Sequence, residues 1–314
     1  MDTSAKIFVA GHRGLVGSAI VRRLERAGCD NLLLADRARL DLTRQDAVAA
    51  FFDAEKPAYV FDAAARVGGI HANATYAADF IRDNLLIQNN LIDSAYRSGV
   101  EKFVFLGSSC IYPREALQPM PETSLLTGPL EATNEWYAVA KIAGIKMCQA
   151  YRQQHGFNAI SLMPTNLYGP GDNFHPDNSH VLPALLNKFH AAVKTGAASV
   201  EVWGSGRPRR EFLHVDDLAD AALYLMRHYD EPAIVNVGVG EDISIAELAA
   251  LIARTVGFEG DLVFDPSKPD GTPRKLLDVS RLSELGWRAS IGLEQGVAQT
   301  YEWYLDNVDR LRKV

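Results

Sequence analysis

A doubly wound α/β fold with a smaller second α/β lobe is predicted by three features of this 314-residue sequence. Short, almost wholly apolar runs alternate with amphipathic stretches through its first half. A glycine-rich turn follows the first of those runs. Beyond Pro164 the alternation gives way to a Pro-, Gly- and Asn-rich stretch, then to mixed helices and short strands. Runs that are apolar throughout suit strands covered on both faces, as in a parallel sheet. Strand–helix–strand alternation then implies right-handed crossovers.

The elements follow in order. Strands are expected at Lys6–Ala10, Asn31–Leu34, Tyr59–Ala63, Lys102–Leu106 and Ala159–Met163. The first is followed by Gly11-His12-Arg13-Gly14-Leu15-Val16-Gly17, which opens a helix at Ser18–Arg26. Thr43, with Asp46 three residues on, reads as the cap of a helix running to about Ala54. Asp79–Arg97 carries Phe80, Leu85, Leu91 and Ala95 at helical spacing, and Gly99 stops it. A long helix spans Asn134–Gln154. The segment from Pro164 to Pro183 is too long and polar for a plain connector and reads as a functional loop. Helices then follow at Val181–Lys194, Val215–His228, Ser244–Val256 and Leu293–Asn307, with strands at Val200–Trp203, Ile234–Val237 and Leu262–Phe264. We expect residues 1–165 to form a dinucleotide-binding domain, with a later stretch, about 212–240, returning to its sheet. Residues 166–314 would mostly form a substrate lobe.

Composition narrows the function. At 47% hydrophobic and 23% charged residues the chain is globular rather than disordered. A net charge of −7 argues against general binding to nucleic acid or a membrane surface. No run approaches the ~20 apolar residues of a membrane span, and Met1–Lys6 lacks the layout of a signal peptide. Three cysteines, Cys29, Cys110 and Cys148, cannot all pair, and a reduced cytoplasmic protein fits best. The eight histidines form no metal signature, and no metal is expected.

Three motifs carry chemistry. Glycines at 11, 14 and 17, between a strand and a helix, let the backbone turn tightly and approach a pyrophosphate seated on the helix N-terminus. Ala35-Asp36-Arg37, after the second strand, should face the adenosine ribose. Asp36 could accept from a free 2′-hydroxyl, whereas Arg37 and Arg13 could pair a 2′-phosphate, so these residues leave NAD and NADP evenly matched. Tyr137 and Lys141, four apart on one helix, place a phenol and an ammonium on the same face. The ammonium is expected to draw the phenol toward a working proton donor. Ser108, at the C-terminal edge of the fourth strand, can donate to the same oxygen. The alternative readings are a helix-surface pair and a solvated turn.

With these residues in this order and spacing, the chain resembles the extended short-chain dehydrogenase/reductase family over nearly its whole length. Six blocks narrow the resemblance to members that act on GDP-linked keto sugars: Leu106–Pro113, Met163–Pro170, Asp172–Pro176, Asn178–Val181, Arg210–Asp217 and Lys268–Lys275. The resemblance implies a Rossmann-like sheet, NADP(H), and conversion of GDP-4-keto-6-deoxy-D-mannose to GDP-L-fucose by 3,5-epimerisation and C4 reduction. It implies that Ser108, Tyr137 and Lys141 are catalytic, with Cys110 and His180 as base and acid for epimerisation. It places the cofactor on Gly11–Gly17, Asp36, Arg37, Asp41, Leu106, Gly107, Ser108, Ser109, Tyr137, Lys141, Pro164, Thr165, Asn166, Leu167 and His180. It places substrate on Lys188, Trp203, Arg210 and Asp270; by their charge alone the nearby Arg207 and Arg209 could also neutralise the diphosphate or form an exposed basic turn. One departure stands out: the family commonly has Arg-Thr-Arg where this chain has Ala35-Asp36-Arg37. By the same resemblance, helices Asp79–Arg97 and Asn134–Gln154 would build a homodimer.

Two rival readings follow from the same residues. The enzyme rival is a nucleotide-sugar 4,6-dehydratase or 4-epimerase of the same fold, and the dehydratase would need an acidic pair where Ser109-Cys110 stands. A non-catalytic dinucleotide sensor would not need Ser108, Tyr137 and Lys141 together. NADPH consumption separates these readings from a reductase.

Overall fold

The computed structural model describes residues 1–175, 179–268 and 270–310. Pro176, Asn178 and Pro269, named within the blocks above, lie outside the described residues. The strands are β1 (Ile7–Ala10), β2 (Leu32–Leu33), β3 (Tyr59–Asp62), β4 (Lys102–Leu106), β5 (Ala159–Pro164), β6 (Asn166–Tyr168), β7 (Ser199–Trp203), β8 (Arg209–Arg210), β9 (Phe212–His214), β10 (Val235–Val237), β11 (Ile243–Ser244), β12 (Asp261–Asp265) and β13 (Arg274–Lys275). The helices are α1 (Leu15–Arg26), α2 (Gln45–Glu55), α3 (Ile70–Thr75), α4 (Ala77–Arg97), α5 (Glu135–His155), α6 (Val181–Thr195), α7 (Val215–His228), α8 (Ile245–Val256), α9 (Ser280–Glu284) and α10 (Leu293–Asn307).

Six parallel strands form a Rossmann-like doubly wound sheet in the order β10-β5-β4-β3-β1-β2. The order reverses between β1 and β3, and at such a switch point the strand ends leave a crevice for a ligand. One face packs residues of α1 and α7, among them Leu24, Leu218 and Leu225, on Ile7, Val9 and Val104. The other packs residues of α2, α4 and α5, among them Phe52, Leu91 and Ile145, on Phe8, Phe103 and Phe105. A third core, built around Leu186, Phe189, Leu248, Ile252 and Val297, holds α6, α8 and α10 together. Around it lie the pairs β12–β7 and β6–β9 and the three-stranded sheet β11-β8-β13.

Local chemistry explains where elements depart from the sequence reading. Helix α1 starts at Leu15 rather than Ser18, because the extended Gly14 is its N-cap. Thr43 does not cap α2. Its amide and hydroxyl both donate to Asp41 Oδ1, at 3.0 and 2.8 Å, and Arg44 takes the cap position without a side-chain bond. An Asx turn has competed successfully for the hydroxyl. Strand β2 shrinks to two residues because it is an edge strand, paired only with Ile7 and Phe8. Ser244 closes a capping box with Glu247 at the start of α8. Helix α3 and the short strands β6, β8, β9, β11 and β13 carry no periodic signal of their own.

Candidate active site

The glycine turn is built by close backbone approach. Gly11 has φ +76°, and a Cβ there would lie 2.7 Å from the Ala63 carbonyl oxygen. A Cβ on Gly17 would lie 2.1 Å from the Gly11 carbonyl oxygen. Side chains are excluded at both, so bare backbone faces the crevice between β1 and β3. No side chain caps α1. Its first amides therefore point outward as an anion seat, and the cradle fits a dinucleotide pyrophosphate. His12 follows in the same turn. Leu15 and Val16 begin the helix and pack against the core beneath it.

At the ribose end, Arg13 reaches Asp36 in an ion pair of 2.8 Å. The Asp36 carboxyl is held below its ordinary pKa, first by the Arg39 amide that donates to it at 3.1 Å and then by Arg13. Arg37 is exposed and its charge also reaches Asp41. The sequence set Asp36 against Arg13 and Arg37; the structure instead neutralises Asp36 with Arg13 and leaves Arg37 open.

Four of the five expected catalytic side chains meet at the C-terminal end of β4. Ser108 caps a short 3₁₀ turn, its hydroxyl accepting from the Cys110 amide at 3.2 Å. Ser109 beside it is buried, as are Leu106 and Gly107. Tyr137 and Lys141 rise from the first turns of α5 onto the same strand end. Lys141 Nζ donates to the Leu106 carbonyl at 2.8 Å and lies 4.7 Å from the centre of the Phe105 ring.

The expected effect of Lys141 on Tyr137 is not what this geometry gives. Burial pushes the Tyr137 phenol up, and Cys110 and Asp62 push the same way, while Ser108 pulls it down. Lys141 stands 6.0 Å from the Tyr137 ring with a donor committed to Leu106, and burial depresses its own pKa. The pair shares a helix face, yet the ammonium is spent elsewhere.

Cys110 is the most elaborately held group. Lys275 Nζ donates to its sulfur at 3.2 Å and Asn134 Nδ2 at 3.3 Å. Burial pushes the thiol up, but Lys275, Ser108 and Arg210 together outweigh it, and the net shift is downward. His180, the fifth expected group, is the N-cap residue of α6. Its ring is open to solvent, yet the protein mass around the cleft and the charge of Lys275 push its pKa down. Lys275 acts on both Cys110 and His180 and so links them.

Residues distant in sequence make this possible. Glu211 is wholly buried; its carboxylate accepts from the amides of Val239, Gly240 and Leu277 at 2.7, 2.8 and 3.0 Å. It pins β13 beside β8 and so delivers Lys275 to a thiol 165 positions earlier. The Glu211 carbonyl also accepts from Asn166 and Thr165, at 2.8 and 3.3 Å, while the Thr165 amide donates to Val237 at 3.0 Å. These bonds fix the turn from Pro164 to Leu167 against β9 and β10.

The expected substrate residues form a neighbouring group. The ammoniums of Lys188 and Lys268 lie 4.8 and 5.5 Å from the centre of the half-exposed Trp203 ring. Asp270 accepts from the Ser205 amide and hydroxyl at 2.6 and 2.7 Å. Arg210 is half-buried, and its charge reaches both Asp270 and Cys110, joining the two groups. Arg207 is exposed. Arg209 is corrected: it is bound to Asp242 at 2.6 Å and to Glu247 at 3.4 Å, so it is committed to holding β8 and α8.

The sequence reading did not single out Lys275, Asn134, Glu211 or Asp62. Lys275 and Glu211 lay within quoted blocks, but nothing in sequence spacing connects them to Cys110.

Comparison with known proteins agrees with the geometry. Residues 7–238 match the model of the NAD dependent epimerase/dehydratase family. The chain is 64% identical over 307 residues to GDP-L-fucose synthase 1 of Arabidopsis thaliana, covering 98% of this chain and 95% of that one. It is 56% identical to the GDP-L-fucose synthase of Escherichia coli K12, covering 98% of both. The crystal structure of a GDP-L-fucose synthetase from Naegleria fowleri bound to NADP superposes with a TM-score of 0.91 at 30% identity, covering 100% of this chain and 98% of that one. A strand–glycine turn–helix cradle, with serine, tyrosine and lysine at the adjacent strand end, thus comes with full-length similarity, and the chain belongs to the NAD dependent epimerase/dehydratase family, among the extended short-chain dehydrogenase/reductases.

Proposed function

We propose that this chain converts GDP-4-keto-6-deoxy-D-mannose to GDP-L-fucose, epimerising C3 and C5 and then reducing the C4 ketone with NADPH. The observation that carries this reading is the Cys110 thiol, activated by Lys275 at 3.2 Å within the same cleft as Ser108 and Tyr137. A plain reductase of this fold needs no such thiol.

Residues 1–165, with the returning stretch at about 212–240, would hold the cofactor, and the remaining lobe the GDP moiety. The glycine turn and α1 would seat the pyrophosphate, and Arg37 with Arg13 the 2′-phosphate. Bound NADPH supplies hydride. Asp41, in the loop between β2 and α2, and Leu106, Gly107, Ser109, Pro164, Thr165, Asn166 and Leu167, around the ends of β4 and β5, would lie along the cofactor path. Lys188 and Arg210 neutralise the diphosphate, Trp203 offers a flat face for the base, and Asp270 completes that pocket.

The C4 ketone acidifies the hydrogens on C3 and C5. Cys110 and His180 serve as the groups that remove and return protons there. Ser108 and Tyr137 hold the C4 oxygen while it carries enolate charge. In the reduction they hold it again, and Tyr137 gives it a proton. Lys141, bonded to the Leu106 carbonyl, ties the start of α5 to the end of β4 that carries Ser108. No helix of the described residues is long and apolar enough to cross a membrane. All three cysteines are free, which supports a reducing, cytoplasmic setting. The outward faces of α4 and α5 expose Leu86, Trp136 and Val139, which supports a homodimer packed on these helices.

The test is turnover of GDP-4-keto-6-deoxy-D-mannose with NADPH in deuterated water. Stoichiometric NADPH loss should accompany GDP-L-fucose labelled at C3 and C5. Cys110→Ser and His180→Asn should lose label while some unepimerised ketone is still reduced. Undiminished label at both carbons in both variants would remove these residues from the epimerisation.

A further inference from the structure

Asp62 stands apart from everything described so far. It ends β3 at the switch point and is 1% exposed. Its Oδ1 accepts from the Ala64 amide at 3.2 Å, but Oδ2 is buried with no hydrogen-bond partner. A buried carboxylate oxygen left unpaired costs stability, and natural folds keep few of them.

The sheet register shows where this carboxylate lies. Asp62 pairs with Phe105 on one side and with Ala10 on the other. Residues paired across parallel strands point to the same face, here the face packed by α4 and α5. The Lys141 ammonium lies over the Phe105 ring on that face, and it too is buried. No ion pair within 4.0 Å joins Lys141 to Asp62. Three titratable groups on α5 feel Asp62: Lys141, Tyr137 and Cys148. The paired positions on the flanking strands, Ala10 and Phe105, bring no charge.

We propose that Asp62 is a positioning residue, a buried counter-charge that keeps Lys141 protonated in a dry site and Tyr137 in its proton-donating form. This rests on the reading of Tyr137 and Lys141 given above. The carboxylate favours the charged ammonium and disfavours a second anion on the phenol, so it raises both pKa values. Burial already holds the phenol protonated, so the group that governs the alkaline limb is Lys141, whose own burial depresses it and whose charge Asp62 supports. The fold itself gains nothing from the ionised acid. Burial raises the Asp62 pKa to about 6, so its stabilising protonated form is lost as the pH rises from about 4 through 6.

The experiment compares the wild-type chain with Asp62→Asn and with Asp62→Leu, which asks for no hydrogen bond. NADPH-dependent reduction of GDP-4-keto-6-deoxy-D-mannose is followed from pH 6 to 10, and thermal unfolding is measured at pH 8. The expected result is an alkaline limb shifted down by about one unit, hence about tenfold slower reduction above it. The melting temperature at pH 8 should be equal or higher. An unmoved limb overturns the proposal, as does a lower melting temperature in both variants, which would make Asp62 a structural residue. Failure of the underlying reading is distinguishable, because the wild-type chain would then not reduce the sugar at all.

Discussion

Replacing Lys275 by methionine removes the cation beside Cys110 and keeps a chain of similar length. Burial alone would leave that thiol protonated; Lys275 is the first influence that reverses it, with Ser108 and Arg210 adding to the reversal. At the observed 3.2 Å, an ammonium and a thiolate attract by ~5 kcal/mol at an effective dielectric of ~20 and by ~1.3 kcal/mol in bulk water. Cys110 keeps part of its surface open to the cleft, so the loss falls between these figures, about 1 to 5 kcal/mol, and the thiol's pKa rises. The direct assay is the pH dependence of alkylation by iodoacetamide. Cys29 and Cys148 are each 1% exposed and should stay silent in the folded chain. The wild-type thiol should titrate below an ordinary cysteine and the variant clearly above the wild type. Deuterium incorporation at C3 and C5 near pH 7.5 should fall about tenfold or more with it. An unchanged alkylation profile would show that Lys275 does not activate the thiol. A shifted profile with unchanged deuterium incorporation would show that the thiolate is not the group that moves protons.

Three further outcomes are expected. Tyr137→Phe should abolish reduction and leave NADPH binding nearly intact, measured by stopped-flow absorbance and by fluorescence titration; near-normal turnover would exclude the phenol as proton donor. Arg37→Ala should weaken NADPH binding by about 10- to 100-fold, the value of a charge-assisted contact, and leave NADH little changed. Equal losses for both cofactors would make Arg37 a structural residue and return the ribose to Asp36. Gly17→Ala should destabilise the chain by roughly 1–3 kcal/mol in urea unfolding and impair dinucleotide binding, because its Cβ would meet the Gly11 carbonyl oxygen at 2.1 Å; wild-type values for both would show that the turn can relax.

The sequence by itself determined the framework of this protein. Apolar runs such as Phe103–Leu106 can only be strands covered on both faces, and glycines 11 and 17 stand where no side chain fits. Such signals are local: the physics that sets them acts within a few residues, so spacing records it. Tyr137 and Lys141 were legible for the same reason, since one helical turn joins them. What the ammonium does with its charge was not legible. Its hydrogen bond runs to Leu106 at the end of a strand, and the carboxylate that acts on it, Asp62, is 79 positions away in the sequence. The state of Cys110 was likewise decided by tertiary structure. Lys275 comes from the far lobe, held by the buried Glu211, and a charge acts through space according to distance and dielectric, neither of which is written in sequence separation.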